Sequence, residues 1–266
     1  MLFKHEFYKL FHSKTFYITV GIAFAVALFG DIYSAISERG QEPIEYHDNG
    51  WTSYDNHKYN LTNGLNGLIE TCFNVQFWAL LVSVIIASII VIDYSNGTIR
   101  NTVMAGHKRT HIYFTKLIVC VIVTLLIVLM FYSVSTIVYS VSAGFGKINF
   151  GRYAVTFVLL FFLATALACV IVFFTDLTRN IGAAICIPFG LIIVFMLIGG
   201  NGSEQSTFAF NRVSYFIGEL YVGNNLLNIS YTLKAGVIVK YFVTAIATII
   251  ITSGVGCYLF TKRGLK

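Results

Sequence analysis

Charge is scarce in this chain. Asp, Glu, Lys and Arg make up 11% of its 266 residues, too few to cover the surface of a soluble domain of that length. Two prolines exclude a collagen-like chain, and five scattered cysteines, an odd number, build no disulfide framework. The sequence has no phosphate-cradling Walker loop, no zinc-protease helix and no serine-nucleophile elbow, so it carries no recognisable machinery for hydrolysing ATP and does not read as an enzyme. His47, Asp48, Asp55 and His57 are of metal-ligating types, but their spacing matches no strong motif and the segment reads as a solvated loop. The basic residues are divided among several boundaries rather than gathered in one groove, which speaks against nucleic acid as a partner.

What is abundant is apolar and aromatic. Hydrophobic residues make up 57% of the sequence, and 24 phenylalanines outnumber the 12 acidic residues. Six apolar runs, about 16–36, 71–92, 112–139, 151–174, 181–199 and 237–260, each approach the ~20 residues that a helix needs to cross ~30 Å of hydrocarbon. The expected fold is an all-α polytopic membrane protein with six transmembrane helices, a single membrane domain over 1–266. Asp31 is expected near the outer end of the first span, where its charge reaches the interface. The third span is long enough to require tilt, and Pro188 is expected to bend the fifth by removing a backbone donor. Cys72, Cys120, Cys169, Cys186 and Cys257 lie in or at the edges of spans and read as small packing residues.

An even number of spans puts both chain ends on one side. With the ends inside, that side holds Lys4, Lys9, Lys14, Arg100, Lys108, Arg109, Lys116, Arg179, Lys262, Arg263 and Lys266 against Glu6, Asp93 and Asp176, and the remaining seven basic residues face nine acidic ones. The positive-inside rule therefore predicts cytoplasmic termini. The first 14 residues read as a retained segment rather than a cleaved leader, since Glu6 interrupts them and the apolar run begins late.

Two segments on that side stand out. In residues 1–15, Leu2, Phe3, Phe7, Leu10 and Phe11 line one helical face while Lys4, Lys9 and Lys14 meet water or anionic headgroups, which predicts an interfacial amphipathic helix. The segment from Asp93 to Lys116 is too polar for membrane core, yet its Thr, Val, Met and Ile residues suit short amphipathic helices; it reads as a topology-setting loop or as a docking element. On the other side, Phe208, Phe210, Val213, Tyr215, Phe216, Ile217, Leu220, Tyr221 and Val222 suggest an amphipathic or re-entrant element before the last span. Asp31, Asp93, Asp176 and Lys240 all fall near span ends, so no ion relay is evident.

This arrangement, and above all the run Asp93 to Asn101 (DYSNGTIRN), resembles the permease subunits of ABC-2-type exporters, including the bacterial group tied to bacitracin-like drugs, lantibiotic immunity and peptide export. The matching pattern is an acidic residue, then Gly-Thr, then a hydrophobe and Arg: here Asp93, Gly97, Thr98, Ile99 and Arg100, with Asp where the family more often has Glu. The resemblance implies a cytoplasmic coupling region over 93–111, in which Asp93, Gly97, Thr98, Ile99, Arg100, Lys108 and Arg109 link span movement to a separate ATPase. Arg100 would pair with Asp93 or with a partner carboxylate. It further implies that Phe3, Lys4, Phe7, Lys9, Leu10 and Phe11 form a helix stabilising that contact, and that the hairpin before span six shapes the exit. ATP and Mg are bound by the partner ATPase, with no cofactor in this chain. The implied partners are ATP-binding subunits, a second identical or similar permease, membrane lipid, and an amphipathic or antimicrobial peptide or a hydrophobic drug as substrate, in the bacterial cytoplasmic membrane. Two other classes remain open on the residues alone: a noncatalytic membrane sensor or assembly protein, and a secondary transporter or sodium exporter component. A tightly bound ATPase separates the first reading from both.

Overall fold

In hydrocarbon only a helix closes all its backbone hydrogen bonds within one segment, and the long apolar runs of this chain fold accordingly. The computed structural model describes residues 2–38, 64, 67–144, 150–200, 209–229, 233 and 235–262. Among these, six helices are long and apolar enough to cross a membrane. They are α2 (Lys14–Glu38), α4 (Val75–Ser95), α6 (Arg109–Ala143), α7 (Phe150–Thr178), α8 (Ile181–Gly200) and α11 (Ala235–Lys262). Five shorter helices accompany them: α1 (Leu2–Phe11), α3 (Gly67–Phe73), α5 (Thr98–Met104), α9 (Ala209–Glu219) and α10 (Val222–Leu227). The expected six-span all-α membrane fold is what the chain adopts. His47, Asp48, Asp55, His57, Arg263 and Lys266 lie outside the described residues.

Helices α4 and α7 are the most buried spans, and α2, α8 and α11 keep most of their surface outward. Trp78, Val82, Ile86, Val123, Leu163 and Leu167 belong to the main apolar cluster between α4, α6 and α7. Helix α11 packs along α7, α2 along α6, and α8 against α4 and α7. The outward surface of the peripheral spans is itself apolar, with Phe29, Ile36, Leu197, Ile250 and Ile251 exposed as lipid-facing side chains must be.

The start of α6 meets the end of α11, where the Arg109 guanidinium donates to the Thr261 carbonyl at 3.0 Å. That carbonyl is one of the last four of α11, which no backbone donor within the helix satisfies. Glu6 of α1 approaches Lys116, two turns further into α6 from the same end. Both ends of the described chain, α5 and the α7–α8 connection therefore share one end of the bundle.

Several expectations change in detail. The second span is shorter at its start than expected: Thr71, Cys72 and Phe73 belong to a separate helix, α3. The break falls at Asn74, whose amide reaches back to Glu70 Oε1 at 2.9 Å, while the Trp78 indole takes the Thr71 carbonyl at 2.9 Å. The third span extends to 35 residues, or ~52 Å at ~1.5 Å per residue, well beyond a bilayer core. Asp31 does not reach an interface; it is buried against α6 and accepts a hydrogen bond from the Ser135 hydroxyl at 2.7 Å. Cys72, Cys120 and Cys169 are buried as expected of packing residues, whereas Cys186 is exposed on α8. Before the last span the chain forms the pair α9–α10, and α10 is buried from Val222 to Leu226 against α7, α8 and α11. Pro188 lies inside α8, and its carbonyl sits 3.4 Å from the Tyr221 hydroxyl that precedes α10.

Candidate functional site

The end of the bundle that carries the chain termini holds a buried ionic cluster. Asp93, two residues before the end of α4, is 1% exposed. Its carboxylate forms ion pairs with Lys9 of α1 and Lys116 of α6, and the Thr98 hydroxyl sits 2.9 Å from its Oδ1. Glu6 Oε1 lies 3.6 Å from the Lys116 ammonium. Two ammonium groups thus meet two carboxylates, and four elements, α1, α4, α5 and α6, converge on Asp93. A carboxylate shielded this far from water persists only with such compensation. Burial and the neighbouring Lys116 charge pull the Lys9 ammonium below its ordinary pKa, against the upward pull of Glu6.

The local chain explains the convergence. Helix α4 stops at Ser95 because Gly97 follows in the left-handed region, with φ of 67°. Glycine adopts that conformation at little cost, and the chain turns directly into α5. Thr98 opens α5, so its hydroxyl falls back onto the preceding turn and reaches both the Asp93 side chain and, at 3.1 Å, its carbonyl. One turn of sequence therefore fixes the angle between α4 and α5.

Ile99 anchors α5 from below. It is 2% exposed and packs with Ile112, Tyr113, Leu117, Cys169 and Phe260 in a second apolar cluster. The remaining surface of the loop faces outward: Arg100, Asn101, Met104, His107 and Lys108 are all exposed. The structure thus divides the residues of the 93–109 segment. Asp93, Thr98 and Ile99 are turned into the protein, Gly97 makes the bend, Arg100 and Lys108 face away, and Arg109 caps α11. Of the two partners open to Arg100, Asp93 is already engaged by Lys9, Lys116 and Thr98.

Helix α1 departs from expectation in a similar way. Phe3, Phe7 and Phe11 form a ladder of rings 5.0 and 6.2 Å apart, continued by Phe16 at 5.7 Å, and Lys4 is exposed beside it. Lys9, however, is only partly exposed and turns its ammonium to the Asp93 carboxylate. Together with buried Glu6 and Leu10 it forms the face that meets the bundle. Its partner is brought in by tertiary packing 84 residues away, which no local pattern displays.

Sequence reasoning missed Glu6 and Lys116 as site residues. Lys116 carried a readable signal: it stands seven residues into α6 among Ile112, Leu117 and Val119, at a depth of ~10 Å where a charge needs a partner. A second polar group lies alongside. Tyr94 donates to Asp176 Oδ1 at 3.2 Å, and the Arg179 guanidinium lies 4.6 Å from the Tyr94 ring centroid. Arg179 holds a φ of 52° between α7 and α8. These contacts tie the end of α4 to the α7–α8 connection.

No group of three or more His, Cys, Asp or Glu that could hold a metal ion occurs among the described residues. The site consists of a short helix with one buried anchor, an outward face that is mostly polar, and direct connections to two spans. No curated protein matches the chain. Residues 2–197, which include α1, α5, the first four spans and all but the end of the fifth, match the profile of an ABC-2 family transporter protein. With its six spans and no ATP-hydrolysing motif of its own, the chain belongs to the ABC-2 transporter family, as a membrane permease.

Proposed function

We propose that this chain is the pathway-forming subunit of an ATP-driven exporter in the bacterial cytoplasmic membrane, and that α5 is its docking element for the ATPase. The observation that carries the reading is the two-sidedness of the 97–109 segment. Ile99 is locked into the bundle while Arg100, Asn101, Met104, His107 and Lys108 are exposed, and the segment joins α4 to α6 directly. A push on its outward face is delivered to both spans, because Asp93, Thr98 and Lys116 bind the segment to their ends. Arg100 pairs with a carboxylate of the ATPase, and Lys108 adds positive charge to the same surface.

Both termini face the cytoplasm in this reading, supported by the basic residues gathered at their end of the bundle. Two such permeases, identical or similar, assemble with two ATPase subunits. The cargo is an amphipathic or antimicrobial peptide or a hydrophobic drug, as in the bacitracin and lantibiotic-immunity group. Support comes from the abundance of Phe and Tyr, which suits a path for such a cargo. The test is purification of the chain from its native membrane in mild detergent with its stoichiometric partners identified by mass spectrometry. A separate ATPase subunit is the expected result; its reproducible absence from a preparation that preserves complexes overturns the reading in favour of a sensor or an autonomous carrier.

A further inference from the structure

Lys240 lies five residues into α11, ~8 Å from the end of the bundle opposite the chain termini. Helix α9 lies against its ammonium on one side. The Glu219 carboxylate forms an ion pair with it, and the rings of Tyr215 and Phe216 have their centroids 5.8 and 5.0 Å from the nitrogen. Tyr215 and Phe216 stand four and three residues before Glu219, so a single turn of α9 presents two aromatic rings and one carboxylate together. One acid and two ring faces are the elements of an ammonium-binding cage.

We propose that this cage is a binding site for the ammonium group of a net-cationic amphipath carried by the protein, and that Lys240 is its resident occupant, displaced when cargo arrives. The proposal rests on the exporter reading and names the cargo chemistry of its pathway. Three features carry it. Glu219 is 3% exposed on its side chain while Lys240 is 39% exposed, so the receiving carboxylate is buried whereas its occupant stands at the edge on a flexible stem. Displacement by a neutral or anionic group leaves Glu219 buried and uncompensated, which is strongly unfavourable, whereas exchange of one cation for another keeps the carboxylate paired. The cage is therefore selective for positive charge by construction. Finally, Val213, Phe216, Ile217 and Leu220 form an exposed apolar stripe on α9 at helical spacing, beside the cage, where the apolar body of such a ligand fits.

The test is binding of dodecyltrimethylammonium to the full-length chain purified in dodecyl maltoside, whose neutral head on the same alkyl chain supplies the background. Lys240→Gln is expected to bind the probe on the order of tenfold tighter than wild type, since the competing occupant is gone. Adding Glu219→Gln to that variant is expected to abolish the gain, and adding Phe216→Ala to reduce it about two- to fivefold. Unchanged affinity in Lys240→Gln, or a gain that survives Glu219→Gln, overturns the proposal. If Lys240→Gln fails to accumulate, recovery of its yield by the probe during extraction supports the site and absence of recovery overturns it. Loss of the gain on adding phosphatidylethanolamine assigns the cage to a lipid headgroup instead and overturns the cargo assignment. Binding is read without ATP hydrolysis, so its result stands apart from whether an ATPase partner is found.

Discussion

Asp93 receives two ammonium groups and a hydroxyl at a place closed to water. Removing its charge leaves the buried Lys116 and the partly exposed Lys9 with Glu6 alone to balance them. Asp93→Asn is therefore expected to lower stability by about 3–5 kcal/mol, the scale of breaking a buried pair. Lys116→Met removes one of the two cations, and the double variant is expected to lose less than the sum of the singles, with a coupling of about 1–3 kcal/mol. Thermal unfolding of the four proteins in one detergent measures this, and strict additivity contradicts the network. Arg100 presents the opposite case. It is exposed, so Arg100→Ala is expected to change stability by less than about 0.5 kcal/mol while reducing ATP hydrolysis stimulated by cargo in the assembled complex. Unchanged stimulation and transport in a correctly assembled variant removes Arg100 from the coupling surface.

Among the elements, α5 depends on the turn before it. Gly97 has open space where a Cβ would stand but holds a φ of 67°, a conformation that asparagine tolerates and β-branched residues resist. Gly97→Asn is expected to keep coupling, and Gly97→Val to impair both coupling and stability, as judged by ATPase stimulation and thermal midpoint on the same preparations. Helix α3 is held by proximity instead. A Cβ on Gly67 would lie 2.5 Å from the Thr136 backbone nitrogen and 2.8 Å from its Cα, and backbone cannot give way as a side-chain tip can. Gly67→Ala is expected to cost about 1–3 kcal/mol, read as a fall in the unfolding midpoint. The long spans were legible in the sequence because an apolar run of such length has few alternatives. Helix α3 was absorbed into the run that follows it, since the break at Asn74 depends on the Trp78 indole reaching Thr71, a contact that hydropathy does not register. The pair α9–α10 was legible as an amphipathic or re-entrant element, but six residues of α10 carry too little pattern to show that it is buried. Likewise the motif from Asp93 to Arg100 was readable, while its division into an inward half and an outward half follows from α1 and α6 closing over Asp93.

At the scale of the molecule, the buried axis of α4 and α7 is ringed by spans whose outward surfaces are apolar, and the ends of the bundle differ in kind. One end carries the chain termini, α5 and the Asp93 cluster; the other carries α9 and the Glu219–Lys240 pair. The polarity of charge predicts the first end inside the cell. In a variant whose native cysteines are replaced, a single cysteine at His107 is expected to resist a membrane-impermeant maleimide on intact cells and to react after permeabilisation; labelling on intact cells reverses the assigned orientation. The central claim, that the outward face of α5 meets the ATPase, is tested most directly by placing a photo-crosslinking side chain at Met104, which is 69% exposed, and irradiating native membranes. A specific adduct with a nucleotide-binding subunit is expected from Met104 and none from lipid-facing Phe29, whereas an ATPase that co-purifies with the chain yet forms no adduct at Met104 contradicts that contact.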